Sequence, residues 1–212
     1  FEQAGRQVNL PEAQAEAAAG GELAEMQSDF WPGDESWMDL SGAAQVSNGW
    51  GRCTRVAVTD RFGRPSAYFT QGSQASIFFE FAVERAIQVP LGGFQLQNEK
   101  GVIIHGKTSL EAGPLSPGAA QPGQRVRFRY DVTLEIAPGE YTFEVGFSTI
   151  PAEVYEKRWQ FDHQDLYSRV TRICTLTGLG PLAVAFRDEP GQTQLLHHGA
   201  ANLPGNLSVS IV

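Results

Sequence analysis

GFQLQNEKGVIIHGKT, from Gly93 to Thr108, is the stretch on which the fold turns. Two apolar-rich β runs flank a tight turn at Asn98-Glu99-Lys100-Gly101. The second half also spells G-x-x-x-x-G-K-T, from Gly101 to Thr108, the phosphate-binding loop of nucleotide enzymes. Context separates the two readings. A working phosphate loop follows a buried strand and opens a helix whose N-terminal amides hold the phosphates. Here Val102, Ile103 and Ile104 are β-branched and stiff, suited to a pleated strand. After Thr108 the chain carries Pro114, Pro117 and Pro122, which stop a helix after its first turn. No later apolar strand ends in an Asp placed to hold magnesium. The stretch therefore predicts a β-hairpin. The alternative, a P-loop-like nucleotide-binding domain at 101–108, predicts ATP binding that depends on Lys107.

The rest of the composition agrees with the hairpin. The chain has 212 residues, 42% of them hydrophobic, ample for one substantial core. Its 13 Phe, 5 Tyr and 4 Trp, punctuated by 23 Gly and 12 Pro, point to an all-β protein. A net charge of −8 without a basic run makes the chain a poor binder of nucleic acid or anionic membrane, and no nucleic-acid partner is expected. A neutral or polyhydroxyl ligand suits that charge better. The two cysteines, Cys53 and Cys174, form no C-x-x-C and fall in predicted strands, so no thiolate metal site is expected. They are read as small buried hydrophobes; a disulfide stays open, though the cytosol would keep both reduced. No cofactor is expected. There is no apolar run of about 18 residues and no signal peptide. The chain starts at Phe1 rather than Met, so a fragment with an upstream domain is expected.

Residues 1–51 read as a linker or arm. The first 28 are rich in Ala, Glu and Gln, with a short helix expected between Pro11 and Ala19. Residues 29–51 are turn-rich and hold Trp31, Trp37 and Trp50, read as cover for a sheet face before a sugar site. From Cys53 the period is two. ASIFFEFAVERA sets Ile77, Phe79, Phe81 and Val83 against Phe78, Glu80, Ala82 and Glu84. QRVRFRYDVTLEI sets Val126, Phe128, Tyr130, Val132 and Leu134 against Arg125, Arg127, Arg129, Asp131, Thr133 and Glu135. GEYTFEVGFS sets Tyr141, Phe143, Val145 and Phe147 against Thr142, Glu144, Gly146 and Ser148. These last two runs are expected to pair antiparallel, each with one wet face. An excursion follows between Pro151 and Asp165, then strands at about 166–176, 181–187 and 206–212. The whole predicts an immunoglobulin-like antiparallel β-sandwich over 52–212, with an irregular, partly helical N-terminal arm.

Binding residues follow from the same faces, since a glycan site needs polar side chains for hydroxyls and often an aromatic ring. Gln95 and Gln97 share one face, against Phe94 and Leu96. His105 and Lys107 share a strand face. Arg127 and Arg129 lie on a wet face, with Glu144 expected beside them. They make either a cross-strand ion-pair ladder or a surface for a terminal sugar bearing phosphate or acid, which Arg's planar fork fits. Trp159, with Tyr155 and His163, sits in a long loop, where binding residues concentrate. Enzyme constellations are missing. There is no G-x-S-x-G, His197-His198 has no third ligand at metal spacing, and Asp162 and Asp165 flank His163 without a nucleophile. No two carboxylates are singled out as a glycosidase pair.

Several of these pieces together carry a resemblance. They are the D-x-x-G turn from Asp60 to Gly63, the F-x-x-G step from Phe69 to Gly72, the run GFQLQNEKGVIIHGKTS, and APGEYTFEVGFS after its alternating strand. In this order they resemble the C-terminal domain of Wzt-type polysaccharide ABC transporter proteins, over roughly residues 52–212. Residues 1–51 carry no part of it. The resemblance implies a non-catalytic carbohydrate-binding module that recognises the modified non-reducing end of an O-antigen polysaccharide. It further implies an ATPase domain in the same chain, a membrane permease as partner, and a cytoplasmic place at the inner face of the bacterial inner membrane. Such domains form homodimers by exchanging their last strand, here 206–212. The glycan contacts would come from Gln95, Gln97, His105, Lys107, Arg127, Arg129, Glu144 and Trp159. The alternative is the same kind of module appended to a glycosyltransferase or methyltransferase of polysaccharide synthesis.

Overall fold

Strand β4 (Gln74–Val83) buries both of its faces, and the architecture follows from that. Its alternating phenylalanines must be covered on two sides, which calls for a second sheet on one of them. The computed structural model describes residues 30–112, 118–187, 199–201 and 209. The helix expected between Pro11 and Ala19, the strand expected at 206–212 and the His197-His198 pair lie outside the described residues. Pro32–Val212 forms one compact unit and Phe1–Trp31 another.

The other strands are β1 (Ala44–Ser47), β2 (Gly51–Asp60), β3 (Tyr68–Thr70), β5 (Val89–Asn98), β6 (Ile103–Thr108), β7 (Arg125–Thr133), β8 (Gly139–Ile150) and β9 (Thr171–Ala185). Three short helices accompany them: α1 (Ser109–Ala112), α2 (Ala152–Glu156) and α3 (His163–Ser168). One sheet runs β1-β9-β8-β5-β6, with β3 parallel on the far end of β9; the other runs β2-β4-β7. Apart from β3, all neighbours are antiparallel. The protein is thus an all-β sandwich. Its core is aromatic: Phe81 stacks on Phe147 across the sheets at 4.8 Å, and Phe79 on Phe128 at 5.2 Å. Each such pair adds about 0.5–1.5 kcal/mol beyond its buried area. Cys53 and Cys174 are free and buried, and burial pushes the Cys53 thiol up to about 12. Gln45 of β1 reaches both, its Oε1 accepting from the Cys53 amide at 2.6 Å and from Cys174 Sγ at 3.3 Å.

The stretch 93–108 is a hairpin, as expected. Phe94 pairs with Lys107 and Leu96 with His105. Asn98 closes the turn: its Oδ1 accepts from the Lys100 and Val102 amides, and Gly101 takes the positive φ of +71° that the turn requires. Gly101–Thr108 is consequently a turn residue and an edge strand, not a loop wrapped around a phosphate, and α1 is a single turn. The P-loop alternative falls on this geometry.

Three expectations need correction. β7 and β8 do not pair: β7 lies against β4, whereas β8 lies between β5 and β9. Period-two alternation fixes the inward face of a strand but not its partner. Here the segment after Thr133 carries the chain from one sheet to the other, so both apolar faces still meet in the core, with Phe128 and Phe147 at 6.1 Å. The strands expected at about 166–176 and 181–187 are one strand, β9, while 163–168 is helical. Gly178 and Gly180, between the two expected strands, take positive φ within β9, where its register with β8 shifts. Finally, the sandwich starts before residue 52. β1 pairs with β9, Trp50 packs on the core under the Arg85 guanidinium at 4.5 Å, and the Met38 amide donates to the Val56 carbonyl.

Candidate functional site

The eight residues singled out in the sequence do not converge. They fall on four parts of the sandwich, and their partners decide what each can do.

On the outer face of β2-β4-β7, Arg127 and Arg129 are engaged. Glu80, 0% exposed, accepts from Arg125 Nη1 at 2.5 Å, from Arg127 Nε at 2.9 Å and from Thr54 Oγ1 at 2.9 Å. Burial pushes the Glu80 carboxyl up, but the bonds from Arg125, Arg127 and Thr54 outweigh it and hold it below the usual range. Arg129 Nε donates to Asp131 at 2.9 Å, and its guanidinium lies over the Phe78 ring; Ser76 donates to the same Asp131 at 2.5 Å. Glu144 is not there. It stands on β8 opposite Gln95, on the other sheet, so the expected ladder with Arg127 and Arg129 does not exist.

His105 and Lys107 point away from the Gln95 face, because they pair with the inward residues Leu96 and Phe94. His105 Nε2 is 2.7 Å from the Tyr130 hydroxyl, closing the edge between β6 and β7. Burial first, and the Lys107 charge second, lower the His105 pKa. Trp159 lies on the excursion after β8, 76% exposed, with the Arg158 guanidinium 4.7 Å from its ring and 4.2 Å from that of Tyr155.

The outer face of the larger sheet is different. At one end, Val89, Leu91 and Ile150 form a second small core with Leu110, Val154 and Tyr155, so α1, α2 and α3 cap that part of the face. Glu111 ties the cap together: it accepts from the Thr108 amide and from the Tyr167 hydroxyl. Where the cap ends, the sheet drops to a glycine floor. Gly93 pairs directly with Gly146, and Gly106 lies opposite Gln95. A Cβ at Gly146 would meet nothing within 4 Å. Beyond the floor stand Gln95 beside Glu144 and Gln97 beside Thr142, with Thr175 opposite Gly146. Among the described residues none of these five side chains has a hydrogen bond or ion pair; Gln95, Gln97, Glu144 and Thr175 are half-buried and Thr142 is exposed. The arrangement is a polar shelf with a flat floor and one wall, able to exchange hydrogen bonds with a polyhydroxyl ligand. Alternation alone reveals Gln95 and Gln97. The floor and Glu144's place beside them appear only once the register is known.

A cavity of about 260 Å³ opens elsewhere, lined by Met38, Val58, Pro65, Phe143 and Leu182 among others, and is largely apolar. Among the described residues no group of His, Cys, Asp or Glu is placed to hold a metal, and no helix is long and apolar enough to cross a membrane.

A family model for the Wzt C-terminal domain matches residues 43–175. Among solved structures, the crystal structure of the C-terminal domain of Wzt is similar, with a TM-score of 0.61 at 13% identity, over 85% of this chain and 93% of that one. At that identity the likeness is one of fold. No curated protein matches the chain.

Proposed function

The chain belongs to the Wzt C-terminal domain family, and from this premise we propose that it is a non-catalytic carbohydrate-binding module for O-antigen export. In this reading the module takes the modified non-reducing end of the polysaccharide on the shelf of the larger sheet. The observation that carries it is the contiguous set of unpartnered polar side chains, Gln95, Gln97, Thr142, Glu144 and Thr175, beside the open floor at Gly93 and Gly146. The arginines of the smaller sheet are a poorer candidate, because Glu80 and Asp131 already hold and neutralise them. An ATPase domain in the same chain and a membrane permease complete the transporter, at the cytoplasmic face of the inner membrane. A second copy joins by exchange of strand 206–212; light scattering on a chain ended at Gly205 tests this, and an unchanged stable dimer would refute it.

The test of the shelf is titration with the source organism's own O-polysaccharide, whole and with its terminal residue removed. Only the whole glycan should saturate the protein. Gln95→Ala should weaken binding about tenfold, the worth of one or two neutral hydrogen bonds, while Arg127→Ala should leave affinity unchanged. The opposite pattern would move the site to the smaller sheet.

A further inference from the structure

The chemistry of the shelf restricts the group it can recognise. An ionised carboxylate only accepts hydrogen bonds, and Glu144 has no donor among the described residues. Its neighbours across the strands supply none of the missing charge: Gln95 is neutral, and on β9 the register shift opposite β8 leaves Thr177 and Gly178 there. Thr177 Oγ1 is turned to the Ala44 carbonyl at 3.5 Å. Along β8, the next charged residue on the same face towards the hairpin end is Glu140, which is exposed and adds a second negative charge. Lys107 and His105 belong to the opposite side of β6. Lys100 lies in the hairpin turn beside Glu99. Among the described strand residues the cation on this face is Arg172, opposite Ser148. Four residues along β8 separate Ser148 from Glu144, roughly 13 Å of backbone, so Arg172 is not a cross-strand neighbour of Glu144.

We infer that the shelf recognises a glycan end through a hydrogen-bond donor without negative charge, a hydroxyl or an amine set against Glu144, and rejects ends carrying phosphate or carboxylate. This rests on the reading of the shelf given above. It reverses what the arginine-rich strand β7 suggests, because those guanidiniums are bound to Glu80 and Asp131 on the other sheet. A phosphate or acid set against Glu144 would face a carboxylate whose cross-strand partner Gln95 is neutral, and like-charge juxtaposition suppresses such partners.

The experiment is a glycan array carrying neutral, amino-bearing and acid-bearing ends together with the source organism's polysaccharide. It is probed with wild type, Gln95→Ala and Glu144→Gln, each checked for an unchanged thermal midpoint. Wild type should bind neutral or amino ends at least tenfold better than acid ends. Glu144→Gln should lose about tenfold against a hydroxyl end, with little salt dependence, or about a hundredfold against an amine end, with the loss shrinking at high salt. Preference for acid ends would overturn the inference. So would wild-type binding by Glu144→Gln while Gln95→Ala loses it, with the shelf itself left standing. If both variants bind as wild type, the shelf is the wrong face and the inference goes with it.

Discussion

Replacing Glu80 with Gln removes one charge and almost no volume from a carboxylate that is fully buried on the outer side of β4. The wild-type group accepts two bonds from arginines and one from Thr54. A hydrogen bond to a charged group contributes ~1.5–3 kcal/mol when well shielded. Both arginine side chains are 54% exposed, so solvent screening reduces each to ~1 kcal/mol. The Gln amide must also turn its NH2 towards one guanidinium, which costs about another 1 kcal/mol. The expected loss is therefore about 2–3 kcal/mol at neutral pH, or roughly 5–10 °C in Tm for a domain of this size. The pH dependence has a definite sign. A carboxylate whose folded pKa is lowered gives stability that is complete above its unfolded value, about 4.3, and is lost as pH falls through the folded value. Protonated Glu80 resembles Gln, so the gap between wild type and variant should close in acid. Urea unfolding followed by tryptophan fluorescence, from pH 7.5 down to pH 2.5, measures both. A gap under about 0.5 kcal/mol at pH 7.5, or one that persists in acid, would refute the argument. Glycan affinity measured well below both transitions should stay within about twofold; its loss would mean that the smaller sheet binds ligand.

Two further outcomes test the packing and the sheet edge. A Cβ on Gly92 would lie 2.4 Å from the Phe128 ring, so Gly92→Ala should cost about 1–3 kcal/mol by overpacking, whereas Gly146→Ala, with open space above it, should change urea stability by less than about 0.5 kcal/mol. His105 has a lowered pKa, so stability should fall as pH drops from about 6.5 through the folded value; His105→Gln, which keeps a bond to Tyr130 but cannot titrate, should abolish that slope in paired unfolding curves at pH 7.5 and pH 5.

What the sequence reveals is what is local. The 93–108 hairpin is legible because Asn98 and Gly101 specify the turn within four residues, and the inward phenylalanines of β4 and β8 are legible from period two. Pairing is not local. Arg127 meets Glu80, 47 residues away, and nothing in the alternation of β7 prefers Glu80 to Glu144. The same gap hides the site. Gln95 and Gln97 announce a polar face, but Gly93 and Gly146 form a floor only because β5 and β8 pair in one register. A slip of one residue would put Phe94 or Val145 there instead.

The two outer faces differ in what a ligand must displace. On the smaller sheet the polar groups already hold one another, and a glycan hydroxyl would have to compete with a carboxylate for the same guanidinium. On the larger sheet, Gln95, Gln97, Thr142, Glu144 and Thr175 have no partner among the described residues, so a ligand hydroxyl there exchanges for water at nearly equal enthalpy. The glycines between them have no side chain to immobilise, and the pairing of β5 with β8 fixes their backbone before any ligand arrives. Affinity there comes from pre-organisation rather than from strong individual contacts. A bulky residue at Gly146 should therefore remove binding while sparing the fold, because it fills the space a sugar ring needs and its Cβ meets nothing within 4 Å.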